Sequence, residues 1–180
     1  MSKLKLSLCA AALMVVTGHA MAAGEVTNGT VEFNGKLISE TCSIVPADVD
    51  KQVTLPTLSV LSLASAGTVA GTTDFSLSVE ECGDVKNVAA HFEAIGSTGS
   101  DGATGNLTNT ITDDTGAGNV QVRLFDAGTS AHIPVGGTGA FFPIEDDNTA
   151  TMHYVGGYYA TGATTSGLVN AKVSYTLAYK

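Results

Sequence analysis

The chain has 180 residues and a formal net charge of −9, with 8 Lys and Arg against 17 Asp and Glu. An acidic balance of this size argues against nucleic acid and anionic membrane surfaces as partners. With no tryptophan and 6% aromatic residues, there is little material for a sugar-stacking platform; Tyr154, Tyr158 and Tyr159 could supply one but are read first as core and edge residues.

Residues 1–22 read as a secretory leader outside the fold. Lys3 and Lys5 precede an apolar run from Leu6 to Val16, and Ala20-Met21-Ala22 is an A-x-A cleavage site. The run is too short for a permanent membrane span. Its removal takes two lysines and no acid, so the exported chain, residues 23–180, carries −11. Cys9 leaves with the leader, and Cys42 and Cys82 remain as an even pair in an oxidising compartment, so a disulfide between them is expected. Two thiols forty residues apart, with no neighbouring ligand pair, make a poor metal site.

Residues 23–37 read as an extended arm, with a small N-terminal hairpin as the alternative. Val31, Phe33, Gly35 and Leu37 share one face of an extended segment, and Thr30, Glu32, Asn34 and Lys36 share the other. Val26 falls out of this phase. Asn28-Gly29 and Asn34-Gly35 are hairpin dipeptides, but the stretch between them is too short for paired strands.

The remaining chain, residues 38–180, is expected to form one domain. A strand from Leu37 to Val45 carries Cys42, and Pro46 closes it. Val53 and Leu55 alternate before Pro56, which predicts an edge or bent strand. Leu58 to Ala70 is irregular. Phe75, Leu77 and Val79 alternate up to Cys82, and Val88, Ala90, Phe92 and Ala94 form the next run. Gly96–Gly105 is a long loop, and Leu107–Ile111 pairs loosely. Val120, Val122 and Leu124 then alternate, and a short Ile133-Pro134-Val135 piece follows. Met152 begins a penultimate strand that runs through Tyr159. From Gly167 the alternation is the cleanest in the chain: Val169, Ala171, Val173, Tyr175, Leu177 and Tyr179 on one face, mostly polar residues on the other. Seven or eight short strands, frequent turn signals and no convincing helix predict an antiparallel β-sandwich. The final strand is either the last strand of a closed sandwich or an edge that templates strand addition from another chain.

No grouping of residues carries a reaction. His91, His132 and His153 are scattered, Asp113-Asp114 and Asp146-Asp147 lack calcium-loop spacing, and no serine lies in G-x-S-x-G. Gly136-Gly137-Thr138-Gly139 lacks the lysine of a phosphate loop. Asn28-Gly29-Thr30 and Asn106-Leu107-Thr108 match a glycosylation sequon, a weak signal alone. Neither an enzyme, a cofactor nor a metal is expected.

Taken together, several features resemble the subunits of chaperone–usher pili, in particular type 1-like fimbrial major pilins. These are the segment Thr30-Val31-Glu32-Phe33-Asn34-Gly35, the spacing of Cys42 and Cys82, Tyr158-Tyr159-Ala160-Thr161-Gly162, Gly167 fourteenth from the end, and the penultimate Tyr179. The resemblance implies an all-β, incomplete immunoglobulin-like sandwich that lacks its seventh strand and carries an N-terminal donor-strand arm. It further implies that Val31, Phe33, Gly35 and Leu37 are the donor face. Gly167, Val169, Ala171, Val173, Tyr175, Leu177 and Tyr179 would belong to the accepting strand. The family is itself a standard example of strand addition. Expected partners are a periplasmic chaperone, an outer-membrane usher, other fimbrial subunits and further copies of the chain, which would pass through the periplasm to a fimbria on the cell surface and support adhesion. A minor or adaptor subunit is the nearest alternative, a secreted carbohydrate-binding module a more distant one. A tip adhesin would carry a lectin domain for which residues 23–180 leave no room.

Overall fold

A computed structural model describes residues 29–38, 41–97 and 99–180. The leader therefore lies outside the described residues. The chain divides into two units, Met1–Leu37 and Ile38–Lys180. In the first, residues 29–37 form neither helix nor strand, and all are exposed.

The described residues of the second unit form nine strands. These are β1 (Ser43–Ile44), β2 (Val69–Glu80), β3 (Asn87–Ala94), β4 (Leu107–Thr108), β5 (Val120–Asp126), β6 (His132–Ile133), β7 (Phe142–Pro143), β8 (Ala150–Ala160) and β9 (Val173–Tyr179). One sheet runs β1-β2-β8-β5-β4, with β6 also on β5, and the other runs β7-β3-β9. Every pairing between these strands is antiparallel. The period-two segments became strands because alternation lets each sheet turn its apolar face inward.

Leu77, Val79, Met152, Tyr154 and Leu124 from the larger sheet meet Val88, Ala90 and Phe92 from the smaller one. Tyr154 is the centre of this layer. It is fully buried, its ring meets Phe92 edge-on at 5.1 Å, and its hydroxyl accepts the Ala90 N–H at 2.9 Å. A smaller cluster gathers Leu63, Val120 and Ala160, with Tyr158 and Val169 packed against it.

Burial pushes the Tyr154 phenol up to about 12, the Ala90 N–H pulls it back in part, and Asp126 adds to the rise. The neutral form is thus favoured by folding. Its stabilising contribution is complete below pH ~10 and is lost as pH climbs from there towards 12, amounting to about 2–3 kcal/mol. Tyr154→Phe removes that phenol and leaves the Ala90 N–H buried and unpaired, a cost of about 1–3 kcal/mol. Urea titrations at neutral pH and at pH 11 are expected to show a large gap between the two chains at neutral pH and a smaller one in alkali.

Three sequence expectations change. Of the strand expected over Leu37–Val45, the described residues form one only at Ser43–Ile44, and it ends there because Val45 leads into a 3₁₀ turn at Pro46–Asp48. Val53 and Leu55 form no strand; residues 51–59 lie outside any regular element. Pro56 and Leu58 instead pack beside a bulge in β2 between Ala70 and Thr73. Gly71 sits there at φ +62°, where a Cβ would meet Leu58, Tyr158 and Pro56 at 2.8–3.2 Å, so conformation and space both require glycine.

The third change is the final strand, which begins at Val173 and not at Gly167. Residues 167–170 are held by a different partner, the loop at 109–117. Leu168 N–H donates to Thr115 O at 2.8 Å, Ala117 N–H to Leu168 O at 2.9 Å, and Thr110 N–H to Asn170 O at 2.7 Å. Gly167 lies so close to the backbone of Gly116 and Ala117 that a side chain would collide with it.

Candidate strand-accepting slot

Strand β9 is the edge of the smaller sheet and pairs with β3 from Val88–Tyr179 to Ala94–Val173. Lys180 N–H donates to Asn87 O at 3.1 Å, which fixes the phase of the ladder. In an antiparallel pair, alternate residues bond to the neighbour and those between them point away. The even positions therefore bond to β3. The odd positions, Val173, Tyr175, Leu177 and Tyr179, direct their N–H and C=O groups to the open side, and those groups have no hydrogen-bond partner among the described residues.

The same four residues turn their side chains towards the core, yet remain only half-buried. Ser174 and Thr176, on the opposite face, are exposed. The edge thus lacks a neighbour in two respects at once: main-chain groups without a ladder and apolar side chains without a complete cover.

Opposite β9 runs the segment from Cys42 to Leu63. Cys42 N–H donates to the Tyr179 hydroxyl at 3.1 Å, the Tyr175 hydroxyl donates to Asp48 O at 2.9 Å, and Leu63 packs in the cluster that holds Val169. Order along one segment is the reverse of order along the other, so the two run antiparallel as the rims of a slot. Val49, Val53 and Leu58 on the second rim are exposed.

That rim is anchored to the larger sheet. Asp48, itself buried, accepts the Ser78 N–H at 2.8 Å through Oδ2 and the Lys51 ammonium at 2.6 Å through Oδ1. Burial pushes its carboxyl up, but Lys51 and the Ser78 N–H more than offset this and hold it below the usual carboxylate range. The Cys42–Cys82 disulfide ties the start of the rim to the end of β2, beside the Ser43–Glu80 pair. Sequence reasoning missed Asp48 and its turn because residues 46–51 carry no alternation; the signals present were Pro46 and the acids Asp48 and Asp50 beyond it.

Of the expected site residues, Tyr175, Leu177, Tyr179 and Val173 line the open edge together. Ala171 packs against the main core, Val169 joins the smaller cluster, and Gly167 lies apart against the 116–117 backbone. In the first unit, Val31, Phe33 and Leu37 are 79%, 91% and 99% exposed, and Gly35 has open space where a side chain would be.

Other candidates from the sequence fall elsewhere. Tyr154 is buried, Tyr158 is half-buried against the smaller cluster, and Arg123 lies 3.8 Å over the Tyr159 ring, so the three form no shared platform. The amide of Asn106 is buried, donating to Gln121 Oε1 at 2.9 Å and accepting from Arg123 Nε at 2.8 Å, which closes that sequon. Asp113 accepts from Thr115 and Asp147 from Thr149, as turn residues do.

The fimbrial protein family profile matches residues 31–180. The chain belongs to that family. It is 40% identical over 162 residues to the F17 fimbrial protein of Escherichia coli, covering 85% of this chain and 88% of that one. It is 38% identical over 166 residues to the major fimbrial subunit SMF-1 of Stenotrophomonas maltophilia (strain K279a), covering 87% and 95%. A solved chaperone–usher pilus structure, described for its rod uncoiling, shares the fold at TM-score 0.59 and 21% identity, over 87% of this chain and 98% of that one. The fimbrial protein is accordingly a structural subunit of a surface pilus, one that joins other subunits of its kind. The all-β antiparallel fold expected from the sequence is the one observed.

Proposed function

We propose that the slot beside β9 accepts the N-terminal arm of a second copy, and that this strand addition is how the subunit polymerises. The observation that carries this is the coincidence on Val173, Tyr175, Leu177 and Tyr179 of open main-chain groups with incompletely covered apolar side chains. An incoming strand supplies both missing parts. The arm has the matching character, with Val31, Phe33 and Leu37 on one face and Gly35 between them. Burying those three side chains stabilises by roughly 5–9 kcal/mol before ordering costs. A contact between unlike surfaces that does not close on itself produces a fibre.

An empty slot is costly in water, so a delivery partner must fill it first. A periplasmic chaperone strand would do so, with handover at an outer-membrane usher, and the finished fibre would support adhesion. A minor or adaptor position in the same fibre uses the same slot and arm.

The test is a photo-crosslinker placed at Phe33 in fibres grown from an equal mixture of light and heavy-isotope chains. Mass spectrometry is expected to find Phe33 joined to residues 169–179 of a different copy, in mixed-isotope pairs. Products joined only within one chain would overturn the proposal.

A further inference from the structure

We infer that the Tyr175 hydroxyl, braced against the Asp48 turn, is a positioning group that holds the two rims of the slot at the separation an incoming strand needs. This rests on the strand-accepting reading above and assigns a role within it. The two rims belong to different sheets: β9 to the smaller, and the Asp48 turn, through Ser78, to the larger. The Cys42–Tyr179 bond ties the rims at the last residue of β9 and the Leu63–Val169 contact lies before its first; Tyr175–Asp48 is a tie between them.

The Asp48 turn is built to hold still. Its carbonyl oxygen takes the Tyr175 hydroxyl, one carboxylate oxygen takes the Ser78 N–H, and the other takes Lys51. Asp48 N–H closes the turn on Val45 O at 2.8 Å, and Val45 N–H reaches Ser78 O at 3.0 Å. A rim fixed to Ser78 of β2 by one main-chain bond and one bond through the Asp48 carboxylate offers the tyrosine a rigid end-stop. Tyr175 reaches it with a side chain packed against the core, while its main-chain groups face the open edge, so the tie and the ladder of an incoming strand use different atoms. Without it the rims could drift together or apart while the slot is empty, and each arriving strand would first have to restore their spacing.

Tyr175→Phe removes the hydroxyl and keeps the ring. The experiment uses the exported chain, residues 23–180, and measures capture of a fluorescent peptide of residues 23–37 in excess, alongside thermal melting of the peptide-filled protein. Thr176→Val, on the outer face of the same strand, is the control. Tyr175→Phe is expected to slow capture roughly 2–10-fold, the worth of one neutral hydrogen bond, while the melting of the filled form stays with that of the parent chain. Asp48→Asn, which weakens the anchor one step away, is expected to slow capture in the same direction. Unchanged capture in Tyr175→Phe would overturn the brace while leaving strand acceptance standing. So would a fall in melting as large as the loss of capture, since the hydroxyl would then be an ordinary stabilising contact. If the parent chain itself fails to take up the peptide, the strand-accepting reading fails and the brace fails with it.

Discussion

Deleting Glu25–Lys36 is expected to yield a folded subunit that does not form fibres. The deletion removes Val31 and Phe33 and leaves the nine strands of the second unit untouched. Every element of the core, from the Cys42–Cys82 link to β9, lies beyond it. On the strand-addition proposal, what is lost is the material for the neighbour's slot. Most of the roughly 5–9 kcal/mol of apolar burial goes with it, and all of the ladder that the arm would form. A change of that size lowers the association constant at each junction by roughly four to six orders of magnitude. Electron microscopy and size-exclusion chromatography of the truncated chain, isolated with the proposed delivery partner, read the result. Fibres of ordinary length would show that the arm is dispensable and that the slot is filled from elsewhere.

The second large effect is expected on removing the disulfide. Cys42 and Cys82 close a loop of 40 residues, and in the chain-entropy model such a link contributes about 4 kcal/mol by restricting the unfolded chain. For a domain whose total stability is of order 5–15 kcal/mol, that is a large fraction. Here it has a local consequence too. Cys42 N–H holds the Tyr179 hydroxyl, so the link also fixes the lower end of the slot's second rim. The double change Cys42→Ser and Cys82→Ser is expected to shift the urea midpoint by that ~4 kcal/mol and to cut the folded yield in the exporting host. Thiol titration of the parent chain should find no free thiol in the exported protein. A parent chain with two titratable thiols, or a double variant of equal stability, would contradict the assignment.

Most of the fold was legible because it is made of half-buried strands. Phe75, Leu77 and Val79, then Val88 to Ala94, then Val120 to Leu124, alternate in sequence as they alternate between core and surface. The open face of β9 was legible for the same reason: Val173, Tyr175, Leu177 and Tyr179 share a parity and a side of the sheet. Alternation failed where tertiary contacts took over the backbone. The pattern runs on unbroken from Val173 back to Val169, but the strand stops, because the main chain of Leu168 and Asn170 is bonded to the loop at 109–117. Val53 and Leu55 also alternate and yet have no ladder, since no described strand pairs with them. The second rim was illegible for a deeper reason. Its shape depends on Asp48 meeting Ser78 and Tyr175, partners 30 and 127 residues away, and no local pattern encodes such meetings.

The direction in which β9 offers its open groups has a mechanical consequence. An occupant seated along Val173, Tyr175, Leu177 and Tyr179 would be tethered to its own body by one end, so tension on the assembly would pull it lengthwise. Its bonds to the four residues would then be loaded side by side in shear, and none could be peeled off ahead of the others. Rupture would require them to fail almost together, so such a joint resists tugging far better than the modest strength of any single hydrogen bond suggests.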